Sequence, residues 1–327
     1  MVLSVKKPDI PTNDEARLYA LNILRILDTE PEQRFDCITR LASNMFDVPI
    51  ALVSLVDEER QWFKSKVGLA ACETSRDISF CGHSINEENH LIVEDATKDI
   101  RFFDNPLVTG DLSIRFYTGK VLRDHQGYAL GTLCLIDTKP RQFSDENLQS
   151  LNDLGSIVER ELLALRLAKL DGLTQLLNRI GFVSDTEKLF SSANDVRLKA
   201  YYFDLDNFKS LNDSGGHDLG DKALKVFSSG LQASFHHSDL VGRLGGDEFM
   251  VVSKAENSSD LNVSDPIAQL DQYLNTNPLY DEGNTSGLSY SWGVTDFIVT
   301  PETDFEHILK CADRAMYDQK MRKSDCS

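Results

Sequence analysis

The chain has 327 residues, 41% of them apolar and 26% charged, with a formal charge of −18. The length suggests about two domains of roughly 150 residues, and the composition excludes wholesale disorder. The acid excess excludes a basic nucleic-acid or anionic-membrane surface, and the longest apolar runs, near 50–56 and 128–136, fall far short of a bilayer span.

No apolar segment follows Lys6 and Lys7, so no secretory signal is read there. The six cysteines are scattered without a C-x-x-C pair, which suits reduced thiols in a cytoplasmic protein. The expected partners therefore include neither nucleic acid nor membrane.

Asn13 or Asp14 can cap a first helix running to residue 27, with Leu18, Leu21, Leu24 and Ile26 at helical spacing. Phe35, Ile38, Leu41, Ala42 and Met45 mark a second. Residues 50–56 and 61–66 read as a strand pair about a turn at 57–59. Further strands are expected at 114–118, 120–123 and 128–136. Helices followed by an antiparallel sheet describe an α+β domain over 14–143.

Ser144 then reads as an N-cap, with Asp145 and Glu146 favourably placed in the first turn. Leu148, Leu151, Leu154, Val158, Leu162 and Leu165 recur at three- and four-residue steps through a connecting helix at 144–170. Such a stripe serves either packing on its own domain or a parallel two-helix seam. From 171 to 323 helices alternate with strands. Strands are expected at 197–204 and 288–297, helices at 220–234 and 305–322. Two short strands surround a Gly-Gly turn within 240–252, and a polar loop spans 253–265.

Two segments concentrate carboxylates. Tyr202 and Phe203 lead an apolar strand into Asp204 and Asp206, followed by Asn207, Phe208 and Lys209. Arg243 and Leu244 precede a Gly245-Gly246 turn that delivers Asp247 and Glu248, with Phe249 anchoring the return strand. If the two strands are neighbours, Asp204, Asp247 and Glu248 converge on an oxygen-rich site suited to Mg²⁺ and a triphosphate.

Gly245-Gly246-Asp247-Glu248-Phe249 is the signature of the GGDEF diguanylate cyclases, and the chain resembles that family over about 170–322. Asp171 to Arg179 is similar to its entry motif, with Gln175 in place of glycine. Asp204 to Asp213, Ser291-Trp292-Gly293, and Ala312 to Tyr317 with Lys320 carry further blocks. The resemblance implies synthesis of cyclic di-GMP from two GTP molecules, on a palm-like α/β domain. Asp204, the Leu205 carbonyl, Asp247 and Glu248 would hold Mg²⁺, with Mn²⁺ the alternative ion, and Asp247 would also act as base. Asn212 and Asp221 would read guanine, and His217 would touch substrate. Asn207, Phe208, Lys209 and Lys320 would cradle phosphates.

Two departures from the family pattern stand out. The family's product-inhibition motif R-x-x-D reads His236-His237-Ser238-Asp239, leaving Asp239 and Arg243 as its remnant. An imidazole lacks the bidentate fork of arginine, so product feedback is expected to be lost. Ser324 replaces a family arginine near the C-terminus, with Arg322 or Lys323 as candidates to cover its role.

The first domain resembles a GAF sensory module. The carrying stretches are Phe46 to Ser54, Gln61 to Ser65, Ser79 to His83, Ile114 to Tyr117 and Gly131 to Asp137. GAF domains take diverse ligands, so a small-molecule or redox input is expected without a named ligand. Cys81 and Cys72 read as small core residues, with a redox thiol as the alternative. Since each catalytic domain would hold one GTP, a homodimer with facing catalytic domains, joined through the connecting helix, is expected.

Overall fold

The computed structural model describes residues 5–193, 195–236, 239–255, 265–281 and 284–325, without the side chains of 280, 281, 284–286 and 322–325. It divides into two units, Met1–Arg166 and Leu167–Ser327. No helix among the described residues is long and apolar enough to cross a membrane.

The first unit runs α1 (Asp14–Ile23), α2 (Gln33–Phe46), β1 (Ile50–Val56), β2 (Arg60–Val67), β3 (Glu73–Ser75), α3 (Phe80–Ser84), β4 (His90–Val93), α4 (Pro106–Thr109), β5 (Phe116–Arg123), β6 (Ala129–Asp137) and α5 (Asp145–Lys169). Its antiparallel sheet has the order β3-β2-β1-β6-β5-β4. Both faces are covered, which is why β1 reads as a continuous apolar run. Ala51, Val53 and Leu55 join a core with α1, α2 and α5. Ile50, Leu52 and Val56 join the opposite core with Phe80 and Cys81 of α3.

Several boundaries differ from expectation. Helix α1 stops at Ile23 because Arg25 and Asp28 adopt positive φ, where the helical spacing predicts residue 27. Strand β5 is continuous through Gly119, which pairs with Cys134 in register. The short edge strands β3 and β4 carry too little apolar signal to be predicted.

The stripe on α5 requires a correction. Leu151, Leu154, Val158, Leu162 and Leu165 are all buried in the core shared with α1, α2 and the sheet. Between them they bury apolar area worth on the order of 1.5–3 kcal/mol per side chain. A face already covered by its own unit is unavailable as a seam to a second chain. The exposed face of α5 instead presents Asp153, Ile157, Arg160, Ala164 and Leu167, at heptad-like steps of four and three.

The second unit contains α6 (Arg179–Ser192), β7 (Arg197–Leu205), α7 (Phe208–Ser234), β8 (Leu240–Gly245), β9 (Glu248–Lys254), α8 (Pro266–Thr276), β10 (Leu279–Asp281), β11 (Asn284–Ser286), β12 (Tyr290–Ile298) and α9 (Phe305–Asp325). The main sheet is antiparallel in the order β12-β7-β9-β8. Phe203, Phe227, Phe249, Leu224 and Leu231 fill the core beneath α7 and α8. Helix α7 begins at Phe208, ahead of the expected residue 220, and absorbs the glycine-rich stretch through a kink at Gly216. Most of the predicted polar loop at 253–265 lies outside the described residues.

Candidate active site

Strand β7 lies between β12 and β9, so its C-terminal end is flanked on both sides. Antiparallel register sets Asp204 directly opposite Glu248 on β9 and opposite Ser291 on β12. The hairpin between β8 and β9 turns at Gly246, whose φ is +50°, and delivers Asp247 beside the same sheet end. The Leu205 amide donates to the Asp247 carbonyl at 3.3 Å. Asp204, Leu205, Asp247 and Glu248 are thus brought together by pairing of the two segments singled out in the sequence.

The electrostatics follow from that crowding. Burial, together with the charge of Asp204, pushes the Asp247 carboxyl above its ordinary range. Tyr202, two residues before Asp204 on β7, is buried and bonded to Glu248, and burial with that acid raises its phenol. Lys320 on α9 makes an ion pair with Asp204. Burial opposes the charge of Lys320, but Asp204, Asp206 and Asp247 hold its ammonium above the usual value. Among the described residues no three His, Cys, Asp or Glu side chains close on one point as a preformed cation cluster. The donor set nevertheless fits a hard divalent cation: three carboxylates and a carbonyl at one sheet end, with excess negative charge only partly met by Lys320.

Helix α9 reaches the site because β12 lets it approach. A Cβ on Gly293 would stand 2.1 Å from the Met316 backbone nitrogen and 2.5 Å from the Ala312 carbonyl oxygen. The Trp292 amide donates to Gln319 Oε1 at 2.8 Å, one residue before Lys320. The serine of the same strand, Ser291, donates to Asp206 Oδ1 at 2.7 Å and fixes the acid beside the turn into α7.

That turn places the remaining predicted residues. Asn207 adopts φ +56° at the N-cap of α7 and supplies no side-chain cap, so its side chain does not satisfy the first helix amides, which follow Asp204 and Asp206 directly in the chain. Asn212 packs its amide oxygen against Gly220, next to Asp221. His217 and Asp221 are exposed on the segment around the Gly216 kink. Asp239 accepts from the His236 amide at 2.9 Å, while His237 and Ser238 lie outside the described residues, as do the side chains of Arg322, Lys323 and Ser324.

Arg243, read in the sequence as an inhibitory-site remnant, is engaged inside its own hairpin. Its Nε and Nη2 donate to the Gly246 carbonyl at 2.9 and 2.8 Å, and Nη1 donates to Asp171 Oδ1 at 3.0 Å. Asp171 also accepts from the amide and hydroxyl of Thr174. Burial opposes its ionisation, but the Thr174 bonds and Arg243 keep its carboxyl below the ordinary range. The Arg243–Asp171 and Tyr202–Glu248 pairs were missed by sequence reasoning, because the partners lie far along the chain or on another strand.

A family model described as diguanylate cyclase, GGDEF domain, matches residues 168–326, and a GAF domain model matches residues 30–162. The diguanylate cyclase DgcP of Escherichia coli is 30% identical over 270 residues, covering 76% of this chain and 76% of DgcP. A cyclic di-GMP phosphodiesterase of Pseudomonas aeruginosa is 36% identical over 180 residues, or 54% of this chain. The chain spans only 31% of that relative's length. Among solved structures, the coiled coil and GGDEF domain of DgcB from Caulobacter crescentus, in complex with c-di-GMP, is 22% identical. That match covers 54% of this chain and 93% of that one, with a TM-score of 0.47. The chain belongs to the GGDEF diguanylate cyclase family, with a GAF domain ahead of the GGDEF domain. The α+β reading with that domain order is borne out.

Proposed function

We propose that the chain is a diguanylate cyclase that joins two GTP molecules into cyclic di-GMP and two pyrophosphates. The observation that carries this reading is the register pairing of Asp204 with Glu248, with Asp247 in the adjoining turn. Asp204, Asp247, Glu248 and the Leu205 carbonyl would hold a divalent cation, Mg²⁺ by preference. Bound there, it would neutralise phosphate charge and polarise the reacting phosphoryl group.

The protein's own groups do the rest. Asn212 and Asp221 orient guanine, Asp221 taking protons that adenine does not offer, with His217 beside them. The amides of 207–209 at the start of α7, Lys209 and Lys320 receive the phosphates. Asp247, its carboxyl raised by burial and Asp204, takes the proton of the attacking 3′-hydroxyl. The new bond forms from that oxygen to the α-phosphorus of a second GTP, and the bond to the β-phosphate oxygen breaks, releasing pyrophosphate. A second attack of the same kind closes the ring.

Two sites must face each other, so the working form is a homodimer. The exposed α5 positions Ile157, Ala164 and Leu167 supply a parallel seam for a second copy, and the GAF unit acts on activity through that helix. His236 leaves product feedback weak.

The test incubates the full chain with GTP and Mg²⁺ and identifies products by chromatography and mass, beside Asp247→Asn. Cyclic di-GMP formed only by the intact protein is the expected result. Relatives include named phosphodiesterases, so cyclic di-GMP is also supplied as substrate. Its linearisation without any synthesis from GTP would sink the proposal.

A further inference from the structure

The core of the GAF unit on the α3 side contains two sulfurs that sequence spacing does not associate. Cys81 lies on α3 and Cys134 on β6, 53 positions apart, and their Sγ atoms are 3.9 Å from each other. Both residues are buried. Around them the core is aromatic: Phe80 stacks on Phe102 at 4.0 Å and leans on Tyr117 at 5.0 Å.

The Tyr117 hydroxyl is aimed at the pair. It lies 3.5 Å from Cys81 Sγ and 2.8 Å from Ser84 Oγ. Room for it exists because Gly119 has no side chain; a Cβ there would stand 2.3 Å from that hydroxyl. Burial pushes the Cys81 thiol up, but its hydrogen bonds with Cys134, Ser54, Thr132 and Tyr117 outweigh this and hold it below an ordinary thiol. Cys134, hydrogen-bonded to Cys81 and equally buried, is raised. An isolated core cysteine packs as a small hydrophobe. Two in contact, one of them bonded by a phenol, have the proximity that a nucleophilic thiol and a resolving partner need.

We propose that Cys81 and Cys134 are a dithiol–disulfide couple that hydrogen peroxide oxidises. The Cys81 sulfur attacks one peroxide oxygen, the O–O bond breaks, and the thiol proton leaves with the departing oxygen as water. The Cys134 sulfur then displaces the hydroxyl of the resulting sulfenic acid, forming the S–S bond and releasing a second water. The two sulfurs together lose two electrons and the peroxide gains two.

Bond formation draws the sulfurs from 3.9 Å to about 2.05 Å, which side-chain rotation and any approach of α3 to β6 share between them. Both elements are placed to pass on any such shift. His83 Nε2 of α3 meets the Lys6 carbonyl at 3.1 Å, and Asn86 just beyond α3 holds the Asp9 carbonyl at 2.8 Å, so the N-terminal segment is tied to α3. Strand β6 leads directly into α5.

The experiment treats the native full chain with iodoacetamide to block Cys326 together with Cys37, Cys72 and Cys311, which are less buried than the pair, and then with hydrogen peroxide. After quenching, the protein is unfolded in N-ethylmaleimide, digested and mapped by mass. A linked peptide pair containing Cys81 and Cys134, abolished by dithiothreitol, is expected. Recovery of both cysteines with the maleimide label, or of over-oxidised sulfur without the link, overturns the couple. Tyr117→Phe should slow its formation about 3- to 10-fold, the weight of one hydrogen bond. An unchanged rate removes the tyrosine from the proposal.

Discussion

Arg243 and Asp171, 72 positions apart, are joined at 3.0 Å, and the same guanidinium holds the Gly246 carbonyl at the tip of the β8–β9 hairpin. The segment that follows α5 is thereby fastened to the turn that carries Asp247. Arg243→Ala should lower GTP turnover by about ten- to a hundredfold, as expected when a reacting group is misplaced by roughly an ångström. Stability should fall by only about 1–2 kcal/mol, since the side chain is partly exposed. Turnover and urea unfolding measured on one preparation decide this, and equal turnover would sink it. The Asp171 carboxyl is held below its unfolded value, so its stabilisation is present above that value and is lost as pH falls through the folded one. Asp171→Asn should flatten the acid limb of the stability curve.

Asp247 has the opposite sign. Its folded carboxyl is raised, so the ionised form that dominates at neutral pH is disfavoured, and stability decreases as pH rises through the folded value. Asp247→Asn should raise Tm without metal by about 2–4 °C, the equivalent of ~1 kcal/mol, while abolishing product. Mg²⁺ should raise the Tm of the intact protein more than that of the variant. A Tm response to Mg²⁺ that is the same in both would count against Asp247 as a ligand.

Gly293→Ala tests the seat of α9. The added methyl meets backbone of Ala312 and Met316, which yields only if the helix shifts. A loss of about 1–3 kcal/mol is expected, with turnover reduced more than tenfold because Lys320 moves with the helix. Full activity would mean that α9 repacks without disturbing the site.

The two faces of α5 should respond differently. Leu151→Ala removes a fully buried side chain and should cost about 2–5 kcal/mol of stability. Ile157→Glu, on the exposed face, should leave Tm within a degree or two yet shift the protein to monomer and reduce turnover at low concentration. Sedimentation and activity measured across a dilution series check this. A dimer unaffected by Ile157→Glu would remove that face from the seam.

Restoring the arginine of the family motif, by His236→Arg with Asp239 retained, should make turnover sensitive to added cyclic di-GMP at concentrations that leave the parent unaffected. No gain in sensitivity would show that the rest of that subsite is missing as well.

The segments of the candidate site were legible because each carries a local, strong pattern. An apolar strand ending in Asp204 needs only its own residues to be recognised, and so does a Gly-Gly turn followed by Asp247 and Glu248. Their convergence depended on strand order, which β7 between β12 and β9 supplies. The α5 stripe shows the limit of periodicity, which reveals that a face is buried but not what buries it. Arg243 with Asp171, and Cys81 with Cys134, were hidden for a related reason. Each contact is made by chain segments that only the folded topology brings together. The early start of α7 was masked by Gly215 and Gly216, which read as breakers but are accommodated by one kink.

The uncapped start of α7 beside Asp204 and Asp206 has a thermodynamic consequence. A helix N-terminus favours anions and the neighbouring carboxylates favour cations, so neither partner alone leaves the site electrically satisfied. Each therefore prepares the site for the other, and by linkage the coupling is reciprocal. Nucleotide affinity should climb with metal concentration, and metal affinity with nucleotide, by the same factor.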